Sequence, residues 1–207
     1  MLVPLADPAR RRRDGRATAR CREYSPKVAF VQGMSLLSPG VDFVSPLADE
    51  HWMRIALNEA DLAATHGDIP VGCVVVGASG HELGRGRNRR ELDGDPTAHA
   101  EVVALREAAK RTGNWRLVDA TLYVTLEPCT MCAGAIINAR IARVVYGVAD
   151  PKAGAIDSVY RIGLDERLDH RIRVEGGFYR VACLERLRRF FATLRAEERT
   201  SSRRSPQ

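Results

Sequence analysis

Apolar residues recur from about Asp49 onward in patterns that change between helical and strand periods. Between Asp49 and Gly67 the apolar side chains are spaced as on one face of a helix, and they are Trp52, Ile55, Ala56, Ala60 and Ala63. Ile69–Gly77 is rich in β-branched residues and predicts a buried strand. Ser79-Gly80 then predicts a turn into a partner strand around Glu82–Arg87, which together make a hairpin.

The second half of this region alternates strands and helices. Asp95-Pro96 resembles an N-cap followed by proline at the first helical position, so a helix is predicted from there to about Lys110. The further predicted elements are a strand at 120–126, a helix at 129–139, a strand at 142–148, a short strand at 171–175 and a helix at 179–199. Strand–helix–strand order favours parallel pairing with crossover helices, hence an α/β layered domain.

The ends of the chain have a different composition. Residues 1–47 contain the run Arg10–Arg13 and five prolines but no sustained apolar period, which predicts a disordered N-terminal extension. Met34 lies just before the change in composition, and we hypothesise that the natural start is Met34. The predicted folded domain spans residues 48–199, and residues 200–207 are predicted to be a disordered tail.

Composition and charge narrow the classes of protein. The chain has 207 residues, 45% of them apolar, and no apolar run approaches the roughly 18 residues of a membrane span. Its five cysteines suit a reducing compartment, so we expect a cytoplasmic protein. Lys and Arg outnumber Asp and Glu by eight to three in residues 1–33 and by twelve to seven in residues 161–207, but not in residues 34–160, where they are twelve to sixteen. The basic C-terminal segment is consistent with phosphate binding or with a solvated helix face.

One imidazole and two thiols have the spacing of a metal site. His99 and Glu101 are followed after a gap by Pro128-Cys129 and Cys132, the H-x-E…P-C-x-x-C signature known from zinc-dependent nucleobase deaminases. Three protein ligands leave a coordination position for water, as in catalytic rather than structural zinc sites. The reaction class is recognised from this pattern.

Glu101 is the candidate acid–base group. Residues two apart on a regular helix point about 200° apart, so His99 and Glu101 can share a pocket only in a first turn. Zinc with two thiolates acidifies water less than zinc with three neutral imidazoles, so a nearby base is needed. We expect Glu101 to take a proton from the attacking water, pass it to a ring nitrogen and then protonate the departing ammonia.

A closed structural site is the main alternative at the level of the metal. It would require a fourth ligand from Cys73, Cys183 or another histidine. Cys73 lies within an apolar strand and Cys183 at a helical core position, so both are predicted to be small buried residues. The other histidines, which are His51, His66, His81 and His170, lack ligand-like spacing.

Several segments resemble the bacterial tRNA-specific adenosine deaminase family. The resemblance covers about residues 49–195, and its segments are Pro70–Gly72, Asn88-Arg89, Asp95–Glu101, Thr121–Ala135, Ala139–Gly147, Asp150–Ala155 and Phe190–Arg195. It implies a three-layer α/β/α cytidine-deaminase-like fold with a central mixed sheet of about five strands. It also implies a homodimer that converts adenosine to inosine at wobble position 34 of a tRNA anticodon, with an arginine tRNA as the substrate.

The resemblance also assigns residues. His99, Cys129 and Cys132 would hold one Zn²⁺ per subunit, and Glu101 would shuttle protons. The residues implied in substrate binding are Asn88 at the target nucleoside, Asp150 and Lys152 at the anticodon loop, and Phe191 near the RNA. Arg90 stands where the family often has proline, and Cys73 where it often has alanine.

Three functions are therefore compared. The first is the tRNA adenosine deaminase, and the second is a deaminase of a free base such as guanine or cytosine. The third is a non-catalytic RNA-binding module that zinc stabilises. Only the first predicts that inosine forms in an RNA loop. A loop is a suitable substrate because its bases are partly unstacked and can enter a pocket.

Overall fold

The computed structural model describes residues 46–202, which contain a five-stranded sheet and the helices on its two faces. The helices are α1 (Pro46–Thr65), α2 (Arg90–Asp93), α3 (Ala100–Thr112), α4 (Thr130–Asn138) and α5 (Arg180–Ser202), with a 3-10 turn at Ile162–Leu164. The strands are β1 (Gly72–Val76), β2 (Glu82–Arg87), β3 (Thr121–Leu126), β4 (Arg143–Val148) and β5 (Arg173–Gly176). The predicted extension up to residue 45, the Met34 hypothesis and residues 203–207 lie outside the described residues.

The sheet is mixed and has the order β2-β1-β3-β4-β5. The β1–β2 hairpin and the β1–β3 pair are antiparallel, whereas β3–β4 and β4–β5 are parallel. The predicted hairpin and the parallel pair around α4 are both present. The carboxyl ends of β3 and β4 therefore lie at the same edge of the sheet, next to the beginning of α4.

Alternate strand residues face two separate apolar layers, because both faces of the sheet are covered. Cys73, Val75, Leu122 and Val124 pack in the layer that includes α3 and α4. Their neighbours along the strands pack in the layer that includes α1 and the start of α5, and these are Val74, Val76, Tyr123 and Val145. The predicted three-layer α/β/α arrangement is confirmed.

Helix α3 packs unusually closely on β2 because β2 presents glycine to it. A Cβ on Gly86 would lie 2.4 Å from the Ala100 carbonyl oxygen, and one on Gly84 would lie 2.6 Å from the Ala104 carbonyl oxygen. Only glycine at these two positions lets the helix backbone lie directly on the strand. The strand thus fixes the height of the first turn of α3 above the sheet.

The predicted start of α3 at Asp95-Pro96 is wrong by about one turn. Asp95 instead closes a tight turn, in which its carboxylate accepts hydrogen bonds from the Thr97 N–H and hydroxyl, both at 2.7 Å, and its carbonyl accepts one from the Ala98 N–H. An Asp-Pro pair suits the first two positions of a β-turn as well as a helix start. The helix begins only at Ala100, with His99 as its N-cap.

The ends of the other elements differ less from the prediction. Helix α2 was not predicted, and α5 continues to Ser202, three residues beyond the predicted end at Arg199. No helix within residues 46–202 combines the length and the apolar character that a bilayer crossing requires.

A buried ion pair joins α1 to β4 in the parallel half of the sheet. Arg143 on β4 donates to both carboxylate oxygens of Asp49 at 2.8 and 2.7 Å, and also to the carboxylate of Glu175 on β5. The Tyr123 hydroxyl donates to Asp49 at 2.7 Å. Burial by itself would raise the pKa of Asp49, but the hydrogen bonds from Arg143 and Tyr123 outweigh it and lower that pKa.

Candidate active site

Two helix N-termini meet at one edge of the sheet, and each supplies a potential metal ligand as its N-cap. His99 precedes α3 with φ −70° and ψ 151°, and Cys129 precedes α4 with φ −75° and ψ 178°. Extended backbone at both positions turns these side chains across the ends of their helices. Glu101 and Cys132 follow as the second and third helical residues. The expectation that His99 and Glu101 share a first turn is thereby met, although that turn starts later than predicted.

The three potential ligands lie at distances that suit tetrahedral zinc. His99 Nδ1 is 3.6 Å from Cys129 Sγ and 3.5 Å from Cys132 Sγ, and all three ligand atoms lie within 4.8 Å of one another. Zn–S bonds of about 2.3 Å and Zn–N bonds of about 2.0 Å at tetrahedral angles place nitrogen and sulfur about 3.5 Å apart. The donor set and its spacing therefore fit Zn²⁺.

A fourth protein ligand is not in place among residues 46–202. Glu101 does not belong to the group of mutually close ligand atoms, nor do Cys73 and Cys183. Both of these cysteines are buried in the apolar layers, as predicted. Burial raises the pKa of the Cys183 thiol to about 11, as expected for an inert core thiol. The site therefore has the three-ligand composition that leaves a coordination position for water.

The environment of the site favours thiolate at Cys129. The Cys132 thiol and the His99 imidazole hydrogen-bond to Cys129 and lower the pKa of the Cys129 thiol to about 3. The free N–H groups at the start of α4 favour negative charge at the same place. The same hydrogen bond with Cys129, together with burial, raises the pKa of the Cys132 thiol.

Glu101 is a buried carboxylate beside the ligands. Only 4% of its surface is exposed, and burial raises its pKa to about 6, although its own backbone N–H and the nearby His99 favour the charged form. Its carboxylate also lies next to the Cys132 thiol. A carboxylate with a pKa close to neutral pH can both accept and return a proton during a reaction.

A cavity of about 160 Å³ opens beside these groups. Ile69, Val71 and Leu126 form apolar parts of its wall, and His99, Glu101 and Cys129 form the reactive part. The volume is below the roughly 300–1,000 Å³ of pockets for drug-sized ligands, so the cavity suits a small group.

Asn88 lines the cavity with an unpaired acceptor. Its amide Nδ2 donates to the Ile69 carbonyl at 3.3 Å, while its buried Oδ1 has no hydrogen-bond partner within the described part of the chain. Buried amide oxygens are normally satisfied, so this atom is available to a donor on a bound molecule. That Asn88 contacts the substrate stays a prediction, which the unpaired oxygen in the cavity wall supports.

Glu127 is a structurally important residue that the sequence analysis did not single out. It follows β3 and accepts hydrogen bonds from the N–H groups of Asp150, Asp157 and Ser158 at 2.9, 2.8 and 2.8 Å, and from the Ser158 hydroxyl. The loop 149–161 is thereby fastened over the site, where the Ala155 N–H also donates to the Pro128 carbonyl at 2.8 Å. In the sequence, the position of Glu127 directly before Pro128-Cys129 was the signal that could have marked it as a residue of the site.

The remaining predicted RNA-binding residues occupy different places. Asp150 lines the cavity, but its Oδ1 accepts hydrogen bonds from the N–H groups of Lys152 and Ala153. Lys152 is exposed in the same loop. Phe191 is 38% exposed and contacts Phe190 edge to face, on a helix whose start packs in the layer opposite α3 and α4. The structure thus does not bring Phe191 into the cavity of its own chain.

Comparison with known proteins agrees with this arrangement. Residues 47–148 match the family described as the cytidine and deoxycytidylate deaminase zinc-binding region. The chain is 47% identical over 151 residues to the tRNA-specific adenosine deaminase of Haemophilus influenzae, which covers 73% of this chain and 87% of that protein. It is 40% identical over 153 residues to the enzyme of the same name from Bacillus subtilis, covering 74% and 94%.

A solved structure shows the same fold. It comes from work on A-to-I editing by tRNA:A34 deaminases, is 43% identical, and aligns with a TM-score of 0.64 over 67% of this chain and 99% of the other. Fold, ligand set and sequence therefore agree. The chain belongs to the zinc-binding cytidine and deoxycytidylate deaminase family and, within it, to the tRNA-specific adenosine deaminases.

Proposed function

We propose that this protein hydrolytically deaminates adenosine to inosine at the wobble position of a tRNA anticodon, with Zn²⁺ held by His99, Cys129 and Cys132. The observation that carries the proposal is the buried carboxylate of Glu101 beside a group of three potential metal ligands in the wall of a small cavity. The relatives at 40–47% identity, which are named for adenosine deamination in tRNA, support the choice of substrate.

The chemistry divides between the metal and the chain. Bound zinc supplies Lewis acidity that makes water nucleophilic at neutral pH. Glu101 accepts a proton from the attacking water and transfers it to the purine ring nitrogen. Glu101 then takes the remaining proton from the oxygen added at C6 and gives it to the amine, which leaves as ammonia, so adenosine and water become inosine and ammonia. The burial of Glu101 keeps both transfers away from bulk water.

The cavity determines the form in which the substrate must arrive. C6 of a stacked and paired adenine is out of reach, so the base has to leave the stack and enter the cavity. The apolar wall then contacts the ring, and the unpaired Oδ1 of Asn88 accepts a hydrogen bond from the nucleoside. An anticodon loop lowers the cost, because its bases are already partly unstacked.

We further propose how the rest of the molecule serves this reaction. Asp150 shapes the loop at the cavity wall and Lys152 contacts the anticodon backbone from that loop. Phe191 contacts RNA outside the cavity of its own chain. The protein acts as a homodimer with one zinc ion per subunit in the cytoplasm, where its tRNA substrate is found, and an arginine tRNA is its substrate.

The decisive experiment uses purified zinc-loaded protein and anticodon stem-loops with adenosine at the first anticodon position. Inosine should form at that position, and fastest in the stem-loop of an arginine tRNA. Free guanine, cytosine and adenosine should remain unchanged. Inosine at other loop adenosines at equal rates would contradict the wobble specificity, and turnover of free guanine or cytosine would favour the free-base deaminase.

A Glu101→Ala variant separates catalysis from a purely structural role for zinc. It should retain zinc and fold while forming no inosine. If the protein were only an RNA-binding module, wild type and variant would bind the stem-loop equally and neither would change it.

A further inference from the structure

The cavity has a cationic wall residue that the reaction chemistry does not use. Arg90, at the start of α2, lines the same cavity as His99 and Glu101. Among residues 46–202 it is the only arginine or lysine that lines this cavity. Arg90 is exposed to solvent, so its charge lies at the opening of the cavity rather than inside it. A positive charge there attracts whatever anionic group accompanies the bound molecule.

The neighbouring arginines are already paired, whereas Arg90 is not. Arg87 donates to Glu59 at 3.1 Å, and Arg89 donates to both carboxylate oxygens of Asp93 at 2.8 and 2.7 Å. Arg90 makes no ion pair or side-chain hydrogen bond within the described residues. Its guanidinium is therefore available to a ligand without the loss of an internal contact.

The backbone that carries Arg90 is held firmly. The Arg89 N–H donates to the Ala98 carbonyl at 2.9 Å. On the other side, the N–H groups of Glu91 and Leu92 donate to the two carboxylate oxygens of Asp68 at 2.9 and 3.2 Å. Asp68 is only 1% exposed and so provides a fixed cap for α2. The position of the Arg90 Cα relative to the cavity is thus set before any ligand arrives.

The carboxylates of the cavity form no ion pair with Arg90 within residues 46–202. Glu127 accepts hydrogen bonds from the loop 149–161, and Asp150 Oδ1 accepts them from the Lys152 and Ala153 N–H groups. Glu101 is buried beside the metal ligands. The structure therefore has an unpaired cation at the opening, where it can contact an anionic group of the substrate.

We propose that Arg90 binds a backbone phosphate of the RNA directly next to the nucleoside that enters the cavity. This rests on the proposed function and adds a contact to it. A cavity of about 160 Å³ takes a base, so the phosphates on either side of that nucleotide stay at the opening, where Arg90 lies. The planar guanidinium can donate two parallel hydrogen bonds to one phosphate group. Arg90 is a positioning residue, because it holds the backbone and leaves the reacting atoms to Glu101 and the metal.

The test measures binding and turnover separately on anticodon stem-loops. One set of stem-loops has natural phosphates, and the other has a single uncharged methylphosphonate directly 5′ or 3′ of the wobble nucleotide. Arg90→Ala should weaken binding of the natural stem-loop about 10- to 100-fold, as expected for a lost charge-assisted hydrogen bond. One of the two methylphosphonates should weaken wild-type binding to a similar extent and leave Arg90→Ala binding unchanged. Arg90→Lys should recover part of the loss.

Arg116→Ala is the matched control, since it removes one exposed arginine that stacks on Trp115 and does not line the cavity. It should weaken binding far less than Arg90→Ala. The inference is overturned if Arg90→Ala and Arg116→Ala behave alike, or if the losses from Arg90→Ala and from each methylphosphonate multiply. Binding that follows the expected pattern without any inosine would refute the proposed function alone, and inosine formation by an Arg90→Ala variant with wild-type affinity would refute only the Arg90 contact.

Discussion

At the scale of single residues, burial decides what each carboxylate of the site can do. Glu101 lacks strong hydrogen-bond donors from other elements, and burial raises its pKa to about 6. Burial would also raise the pKa of Glu127, but the hydrogen bonds from Ser158, Asp157 and Asp150 outweigh it and lower that pKa. One carboxylate is therefore suited to exchange protons and the other to remain a charged anchor.

Replacing Glu101 by glutamine should remove proton transfer and little else. Glutamine has nearly the same shape but cannot accept and return a proton, so we expect a loss in kcat of at least about 10²–10⁴-fold. Metal analysis should show zinc retained at one equivalent per chain, in contrast to a His99→Ala variant, which should lose both metal and activity. Wild-type turnover by Glu101→Gln would disprove the assigned role.

Replacing Glu127 by glutamine should loosen the loop 149–161. The side-chain amide can no longer accept from all four donors, and an unsatisfied buried donor costs about 1–3 kcal/mol. We expect a lower free energy of unfolding, faster amide hydrogen exchange at residues 150 and 157–158, and a reduced kcat/KM with zinc retained. Unchanged exchange in this loop would contradict the anchoring role.

At the scale of elements, α3 is positioned by a strand that has glycine at the positions facing the helix. The alternation Gly84, Arg85, Gly86 on β2 places no side chain beneath the helix, so that Ala100 and Ala104 lie directly against the strand. Because His99 and Glu101 stand at the first turn of this helix, its height above the sheet sets their distance from Cys129 and Cys132.

A Gly86→Ala substitution should therefore affect both stability and the metal site. The added Cβ would lie 2.4 Å and 2.6 Å from backbone atoms of Ala100 and Ala104, which cannot move independently of the helix. We expect a loss of about 1–3 kcal/mol in the free energy of unfolding, together with weaker zinc binding. Chemical denaturation and a zinc competition assay measure the two effects.

Gly134→Ala is the matched control for this prediction. Gly134 lies within α4, and a Cβ there would meet nothing within 4 Å. Alanine is favoured over glycine inside a helix, so this variant should gain about 0.5–1 kcal/mol. Equal destabilisation by both substitutions would show that the close approach of α3 and β2 is not the cause.

At the scale of the whole molecule, one buried ion pair joins elements that are far apart in the sequence. Asp49 on α1 and Arg143 on β4 are 94 residues apart, and their side chains are only 9% and 11% exposed. Arg143 also holds Glu175 on the edge strand β5. The ion pair thereby joins α1 to the parallel half of the sheet. The carboxyl ends of β3 and β4, which belong to this half, lie next to the site.

This ion pair predicts a specific dependence of stability on pH. The pKa of Asp49 is lowered in the folded state, so the pair contributes fully above about pH 4, the unfolded value, and is lost as the pH falls through the lower folded value. Asp49→Asn should cost about 3 kcal/mol at pH 7, because Arg143 loses a buried partner. The difference from wild type should shrink in urea denaturation below pH 4. Arg167→Gln breaks a pair whose arginine side chain is 89% exposed, and it should change neither value. A constant difference between Asp49→Asn and wild type down to pH 3 would contradict the assignment.

How much could be predicted from the sequence differs between these scales. The five strands and the main helices follow from local apolar periodicity, and the ligand trio and Glu101 follow from residue types at a recognised spacing. The position of Glu127 beside Pro128-Cys129 could have marked it as a site residue, but its anchoring of the loop was not predictable, because its donors come from residues 23 to 31 positions later in the chain. The start of α3 was mispredicted because Asp95-Pro96 is equally compatible with a turn, and only the packing against β2 chooses between the two.

The sequence by itself thus determined the chemical groups of this protein and the elements that carry them, since residue identity and short-range periodicity are local properties. Only the tertiary structure decided their arrangement: His99 and Cys129 as N-caps of two converging helices, Asn88 with an unpaired oxygen in the cavity wall, and Arg90 unpaired at its opening. Burial, pairing and close approach depend on residues distant in the chain, and these contacts form only when the layers pack together.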